Sequence, residues 1–312
     1  MGFSEDETFV LMVGTGVCGG LSILGSLFII FSALLFRKLD LQYWRFVVGL
    51  TLVDLLLGIC MASGALAWLA GWTFTGALCY MQGWTITFGG QASNMYILII
   101  SILIYSATVR GQEMSVPVEI ALHATAWVWG AAFAVFPFFG LDDFRYVPAG
   151  GWCWLADEPK YARFVLLYIG SWVIIGLIIV IYLRVWLFIR QQDAHIAKKK
   201  GLLHSTVTGT ESAEEVQRKK TTRALFIYPI ASIILWILPS VSRVYEIWLP
   251  PIFVLVACRG AIDAFVYGLT SGVTKDIQMW WRGERPYRLI NADSVSINNP
   301  SLNVPQRSFH ET

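Results

Sequence analysis

The stretch CYMQGWTITFGGQASNMYILIISILIY, residues 79–105, decides the fold. At about 1.5 Å per residue, an α-helix of this length crosses a lipid bilayer. Polar side chains nevertheless recur at helical spacing along one side of it, at Thr87, Gln91, Asn94 and Ser101. Because hydrocarbon cannot satisfy amides and hydroxyls, this side must face protein or water. The stretch therefore predicts a helix inside a membrane bundle, where interhelical packing is the simplest role for any one polar residue.

Composition extends this prediction to the whole chain. Of the 312 residues, 56% are hydrophobic and only 14% charged, and mean hydropathy is +0.60. Soluble domains carry about 25% charged residues. The 14 tryptophans suit a protein with aromatic rings at two membrane interfaces. Seven apolar stretches reach membrane length and predict an all-α bundle of seven transmembrane helices: Phe9–Phe36, Phe46–Leu69, Gly76–Tyr105, Val118–Gly140, Tyr161–Ile189, Thr222–Glu246 and Pro250–Val273.

The distribution of lysine and arginine predicts the orientation. Most of the 23 basic residues lie in one set of loops and in the C-terminal segment. Because basic loops stay in the cytoplasm, residues 1–8 are predicted to be an extracellular tail and the C-terminus to be cytoplasmic. Residues 9–282 form the predicted seven-helix domain, with a long third inner loop at 190–221. The last part of this domain, residues 274–282, is predicted to form an amphipathic helix on the inner surface. Residues 283–312 are predicted to be a disordered tail.

The five cysteines predict one disulfide. Cys18, Cys60 and Cys258 fall within predicted spans and are interpreted as small apolar packing residues. Cys79 lies at the outer end of the third helix and Cys153 in the long outer loop, so both face an oxidising compartment. A bond between these two is the natural pairing, and it would fold the outer loop over the mouth of the bundle.

Three charged residues fall inside the predicted spans. Asp54 in the second helix and Asp263 in the seventh lie at similar depths, roughly 12 Å from the inner side. Two carboxylates at one depth repel, so at least one needs a proton, a cation or a basic partner. Arg259 lies one helical turn before Asp263. Three interpretations stay open: a structural ion pair of Arg259 with Asp263, a switch that changes partners between two states, and an arginine that receives an anionic ligand group from an outer cavity.

Short motifs on these segments resemble one receptor family. The third helix opens with CYMQGW, the outer loop contains GWCW, the sixth span contains Tyr228-Pro229, Trp236 and Ser242-Arg243-Val244, and the seventh reads GAIDAFVYG at 260–268. In this order and on these helices, the motifs resemble the cyclic-AMP-receptor-like family of G-protein-coupled receptors, over about Phe9 to Trp281. Two positions depart from that family, which usually has Asn in place of Asp263 and of Ser242.

The resemblance implies a multi-pass receptor of the plasma membrane that senses an extracellular ligand and activates the α-subunit of a heterotrimeric G protein. It also implies the Cys79–Cys153 bridge, and it assigns the activation machinery to Tyr267 and to the inner ends of helices 3, 5 and 6. The Asp-Arg-Tyr sequence of rhodopsin-like receptors is absent, and Ile104-Tyr105 lies about where they carry it. The identity of the ligand does not follow from the resemblance.

Candidate residues for each role follow from these placements. The predicted pocket lies between helices 3, 5, 6 and 7 beneath the outer loop, with candidates Trp84, Gln91, Asn94, Trp152, Trp154 and Arg259. The candidates for an activation switch are Asp54, Trp236, Arg259, Asp263 and Tyr267. The candidates for contact with the G protein are Arg110, Lys198, Lys199, Lys200, Arg218, Lys219 and Lys220. The bilayer is the remaining predicted partner, and no metal, cofactor or nucleic acid is predicted.

Other classes of membrane protein fit less well. A retinal protein needs a lysine midway along the seventh helix, but the nearest is Lys275, beyond its inner end. A membrane enzyme needs converging nucleophiles, bases or metal ligands, and His123 is the only histidine in a predicted span. An ion-coupled transporter or channel would also explain Asp54, Arg259 and Asp263, and it stays the alternative. Long basic inner segments and the lack of inverted repeats argue against it.

Overall fold

A computed structural model describes residues 4–139, 144–149, 151–156 and 159–203, and beyond these residues 233, 234, 237, 254, 257–270, 276–278, 281 and 282. The helices are α1 (Glu5–Leu35), α2 (Gln42–Leu69), α3 (Gly76–Tyr105), α4 (Val116–Val135), α5 (Gly170–Leu203) and α6 (Arg259–Thr270). Shorter helical segments lie at Lys38–Asp40, Phe136–Phe138 and Lys160–Arg163, and π-helical turns at Ser106–Arg110 and Phe164–Ile169. Strands β1 (Tyr146–Pro148) and β2 (Cys153–Leu155) form an antiparallel ribbon.

Five helices in the described part of the chain are long and apolar enough to cross a membrane. They coincide with the first five predicted spans to within a few residues at most ends. The first helix begins earlier than predicted, at Glu5, because Ser4 caps it: the Ser4 hydroxyl accepts a hydrogen bond from the Glu7 amide, and the Glu7 carboxylate accepts one from the Ser4 amide.

Later segments are described only in part. The helix α6 covers the inner half of the seventh predicted span, whereas nearly all of the sixth span lies outside the described residues. The third inner loop beyond 203, the tail 283–312 and most of the predicted helix 274–282 also lie outside them.

The polar stripe of α3 lies inside the bundle, as predicted. Thr87, Gln91, Asn94 and Ser101 are all buried, and α3 packs against α2, α4, α5 and the β-ribbon. The exposed side chains of the neighbouring helices are instead large and apolar, including Leu24 and Phe31 of α1 and Val128 of α4. This inside-out distribution of polarity is the one expected of a helical bundle in lipid.

Small residues let α1 and α6 approach closely. A Cβ added at Gly25 would lie 2.8 Å from the Ala264 Cβ and 3.0 Å from the Gly260 carbonyl oxygen. Ser22 joins the two segments by donating to the Ala257 carbonyl at 2.6 Å and accepting from the Ala261 amide at 3.3 Å. Close backbone packing of this kind, with hydroxyls bridging between helices, is a standard means of association between helices in a membrane.

The cysteine predictions are confirmed for one pair and wrong for another. Cys79 and Cys153 form a disulfide, as predicted, and attach β2 to the N-terminal end of α3. Cys18 and Cys258 also form a disulfide, with their Cα atoms 4.5 Å apart, so their interpretation as packing residues is wrong. The close approach of α1 and the seventh span brings them together across a separation of 240 residues. Cys60 is the free cysteine among the described residues.

Candidate functional site

The three charged residues predicted inside the membrane meet in one cluster. Asp54, Arg259 and Asp263 are exposed by only 2%, 5% and 4%. The Arg259 Nε lies 3.6 Å from Asp54 Oδ1, and the same oxygen accepts a hydrogen bond from the Ser93 hydroxyl at 2.9 Å. Arg259 also donates to the Asn94 amide oxygen at 3.5 Å. One guanidinium thus joins the seventh span to α2 and α3.

The partner of Arg259 is therefore a carboxylate on another helix. The sequence favoured a pair with Asp263 because the two lie one turn apart, but the ion pair forms with Asp54 across the helix interface. In the described part of the chain, the second carboxyl oxygens of both Asp54 and Asp263 are buried without a hydrogen-bond partner. The cluster holds two carboxyl groups and one guanidinium. Its charges therefore balance only when one carboxyl group is protonated or a second cation is bound.

The amides of α3 connect it to the fifth span. Gln91 donates to the carbonyl oxygens of Leu166 and Leu167, both at 2.9 Å, and accepts from the Trp129 indole at 3.2 Å. Both carbonyls belong to the π-helical turn Phe164–Ile169, where the helical ladder is widened. Asn94 donates to the Ser171 hydroxyl at 2.9 Å. These two pocket candidates therefore hold α3 to the fifth span in this structure.

An aromatic lid covers the N-terminal end of α3. The cluster combines Tyr146, Trp154, Leu155 and Tyr168 with the partly buried Trp84 and Trp152. The Tyr146 ring occupies the space above Gly83, where a Cβ would lie 2.3 Å from the Tyr146 Cδ1. The Tyr146 hydroxyl donates to the Ala134 carbonyl at 3.0 Å, and burial raises the pKa of Tyr146, so that the phenol stays protonated.

Two further side chains fix this lid, and the sequence did not single them out for this role. The Gln82 amide oxygen accepts a hydrogen bond from the Cys153 amide at 2.7 Å. Arg163 donates from Nε to the Leu155 carbonyl at 2.9 Å, and its guanidinium lies 4.7 Å from the centroid of the Trp154 ring. Their positions in the sequence could have indicated this role, because Gln82 lies close to Cys79 and Arg163 follows the loop that contains Cys153. Together they hold β2 over the bundle.

Two of the remaining candidates, Tyr267 and Arg110, are described at the end of the bundle away from the lid. Tyr267 is buried against Tyr43 and Trp44 of α2. Arg110 is exposed at the end of the π-helical turn after α3, with its guanidinium 5.7 Å from the centroid of the Tyr105 ring. Lys198–Lys200 belong to the last turns of α5, and their side chains lie outside the described part. Trp236, Arg218, Lys219 and Lys220 also lie outside it.

The sequence of the bundle matches a known receptor class. A family model described as 7 transmembrane receptor (rhodopsin family) matches residues 25–262. The chain belongs to this family. Its members are receptors and not enzymes, which confirms the prediction that the chain is not an enzyme. The predicted G-protein-coupled receptor class is confirmed, whereas the resemblance to the cyclic-AMP-receptor-like family stays a prediction.

Solved structures agree with this assignment. The fold is similar to the crystal structure of squid rhodopsin, with a TM-score of 0.71 and 16% sequence identity. The match covers 96% of this chain and 94% of the squid rhodopsin chain. At this identity the likeness shows a common fold and does not extend to the ligand. No curated protein sequence matches the chain.

Proposed function

We propose that this receptor senses an extracellular ligand at the plasma membrane and activates a heterotrimeric G protein. Family membership supports this function, because the receptor class is defined by such coupling. In this proposal the N-terminus is extracellular and the C-terminus cytoplasmic, as the distribution of basic residues predicts. The observation that carries the mechanism is the buried pair of Arg259 and Asp54, because it ties the seventh span to α2 at the level where both cross the membrane.

The proposed ligand site lies beneath the lid. Trp84, Trp152 and Trp154 are its aromatic candidates, and they belong to or pack against the cluster that covers α3. The disulfide of Cys79 with Cys153 and the Gln82 hydrogen bond fix the lid, so a ligand would meet a preformed wall there. Gln91 and Asn94 act at the floor of this site by setting the distance between α3 and the fifth span.

The finer family assignment is a proposal as well. The GWCW and GAIDAFVYG motifs support a place near the cyclic-AMP-receptor-like receptors. Asp263 departs from that family, and it belongs to the same cluster as Arg259. The resemblance therefore suggests the receptor type without making cyclic AMP the ligand.

The proposed switch is an exchange of partners inside the charge cluster. Ligand binding would move the seventh span, so that Arg259 leaves Asp54 and pairs with Asp263. Breaking a buried ion pair without replacement costs about 3–5 kcal/mol, so intermediate positions are unfavourable and the change occurs between two states. Asp263, one turn from Arg259 on the same helix, offers the replacement. The ligand must bind the second state more tightly to shift the balance.

The inner surface would then receive the G protein. Arg110 is exposed at the end of α3, and Lys198, Lys199 and Lys200 lie in the last turns of α5. In the proposal, these residues and the basic residues Arg218, Lys219 and Lys220 flank the docking site, where they attract an acidic partner surface.

Nucleotide exchange tests the proposed function. Purified receptor is reconstituted in lipid vesicles and mixed with each member of a panel of G-protein α-subunits. We expect faster exchange of GDP for GTP on at least one α-subunit than with empty vesicles. An ion current through the reconstituted receptor, with no effect on any α-subunit, would instead favour the transporter or channel alternative.

A further inference from the structure

The inner end of α6 is held against α2 by aromatic rings. Tyr267 is 2% exposed, and its ring centroid lies 5.5 Å from that of Trp44 and 6.3 Å from that of Tyr43. Tyr267 follows Asp263 by four residues, so it lies one helical turn below the charge cluster on the same helix. Any inward or outward movement of this turn has to break these contacts.

A buried lysine packs against the same aromatic cluster. Lys38, in the short helical segment after α1, is only 5% exposed. Its ammonium lies 4.6 Å from the centroid of the Trp44 ring and 5.9 Å from that of Phe36. Lysine is rarely buried to this extent, and a cation–π contact is stronger when it is desolvated. Lys38 therefore contacts the same ring that Tyr267 contacts.

The cluster reaches two further helices. Tyr182 of α5 is buried close to Tyr43 of α2 and to Ser101 of α3. The Ser101 hydroxyl donates to the Ile97 carbonyl within its own helix at 2.7 Å. Segments from α2, α3, α5 and α6 thus meet at the inner end of the bundle. This is the region where rhodopsin-like receptors carry Asp-Arg-Tyr, which the present chain lacks.

We propose that Lys38, Tyr43 and Trp44 form an inner latch that holds Tyr267 against α2 and keeps the resting receptor closed. Tyr43 and Trp44 contact Tyr267 directly, and Lys38 is a positioning residue that acts through Trp44. The inference rests on the proposed function, because closed and open here refer to access for a G protein. The latch takes the place of the missing Asp-Arg-Tyr and is built from tilted ring contacts and a buried ammonium.

Three substitutions separate the parts of the latch. Trp44→Leu removes the ring that both Lys38 and Tyr267 contact. Lys38→Met keeps the length of the side chain and removes its charge, and Tyr43→Leu removes the second ring that contacts Tyr267. Arg37→Met is the matched control for Lys38, since Arg37 is the exposed neighbour on the same connection. Trp72→Leu is the control for Trp44, because Trp72 is 74% exposed at the other end of α2.

A distance measurement tests the latch without any partner protein. Spin labels are attached to cysteines introduced at Leu41 and Phe265, which are exposed, in a Cys60→Ala background. Pulsed electron resonance in ligand-free lipid nanodiscs then reports the separation between the inner ends of α2 and α6. We expect Trp44→Leu and Lys38→Met to raise a second distance population by about fivefold, the size expected for one desolvated cation–π contact. The control variants should match the parent.

The outcomes distinguish the latch from the proposed function. If Lys38→Met and Tyr43→Leu, as well as Trp44→Leu, leave the distance distribution unchanged, the latch is overturned. Lys38→Met keeps the test valid should a ring substitution prevent folding. The same nanodiscs are then assayed for nucleotide exchange on the panel of α-subunits. A new distance population with a parallel rise in basal exchange supports both proposals. A new distance population without exchange on any α-subunit supports the latch and overturns the proposed function.

Discussion

Arg259 pairs with Asp54, and the two charged groups are buried at the interface of the seventh span with α2. A pair in this position is a constraint on helix movement, because neither group can be solvated once it is separated from the other. Ser93 and Asn94 of α3 hydrogen-bond to the two members of the pair, so three helices depend on one ion pair.

Removing one member of this pair should be worse than removing both. We expect Arg259→Gln to destabilise the receptor by about 3–5 kcal/mol, because it leaves two buried carboxyl groups without a cation. Adding Asp54→Asn to Arg259→Gln should restore a large part of this loss. Thermal unfolding of the single and double variants in lipid nanodiscs measures the coupling. Strictly additive effects of the two substitutions would show that the pair does not act as a unit.

Asp263 is predicted to act in signalling more than in folding. Asp263→Asn keeps the shape of the side chain and removes the charge that would receive Arg259. We expect the variant to fold with thermal stability close to that of the parent and to show altered basal nucleotide exchange. An exchange rate equal to that of the parent at every pH tested would reduce Asp263 to a structural residue.

Gln91 should stabilise the π-helical turn of the fifth span. Gln91→Leu removes two hydrogen bonds to buried carbonyls and one from Trp129, and we expect a loss of about 1–3 kcal/mol in the free energy of unfolding. Thr125→Val is the matched control, because the Thr125 hydroxyl is exposed and bonds only within its own helix. Chemical or thermal denaturation of the two variants measures the difference. Equal losses would refute a special role for Gln91.

Substitution of two helical glycines by alanine should change thermal stability in opposite directions, because only one of them packs against the lid. Gly83→Ala places a Cβ against the Tyr146 ring, so we expect lower thermal stability and a looser outer loop. Gly20→Ala has open space and should be neutral or stabilising by up to about 1 kcal/mol, since alanine favours the helix. Thermal unfolding and limited proteolysis of the outer loop compare the two. A Gly83→Ala receptor with an intact, protease-resistant loop would contradict the described packing.

The two disulfides predict the number of free thiols. Denaturation without reductant should expose Cys60 alone to alkylation, and reduction should expose all five cysteines. Mass spectrometry of the alkylated peptides identifies each site. Alkylation of Cys18 and Cys258 before reduction would show that these residues are packed side by side without a bond.

The sequence predicts the membrane helices well, because their length and polarity are set locally. It also places the polar side of α3 in the interior, since hydrocarbon excludes Gln91 and Asn94 from any other position. It does not predict which groups these amides contact. The carbonyls that Gln91 binds are freed by a widened turn in another helix, and nothing in the residues Phe164–Ile169 marks that turn.

Two features could not be predicted from local spacing, because they depend on contacts in the folded structure: the partner of Arg259 and the pairing of Cys18 with Cys258. Arg259 and Asp263 lie one turn apart, which favours a pair within the helix, but packing brings Asp54 to the guanidinium instead. Cys18 and Cys258 have apolar neighbours in sequence, and only the close contact of α1 with the seventh span reveals their pairing. Both features depend on contacts between residues that are more than 200 positions apart.

Nucleotide exchange in reconstituted vesicles is the most direct test of G-protein activation through the charge cluster. Parent receptor, Asp263→Asn and Asp54→Asn/Arg259→Gln are each assayed without ligand on the panel of G-protein α-subunits. We expect exchange above that of empty vesicles on at least one α-subunit, at rates that differ between the parent and the charge-cluster variants. Folded receptor and variants that leave every α-subunit at the rate of empty vesicles would contradict this expectation.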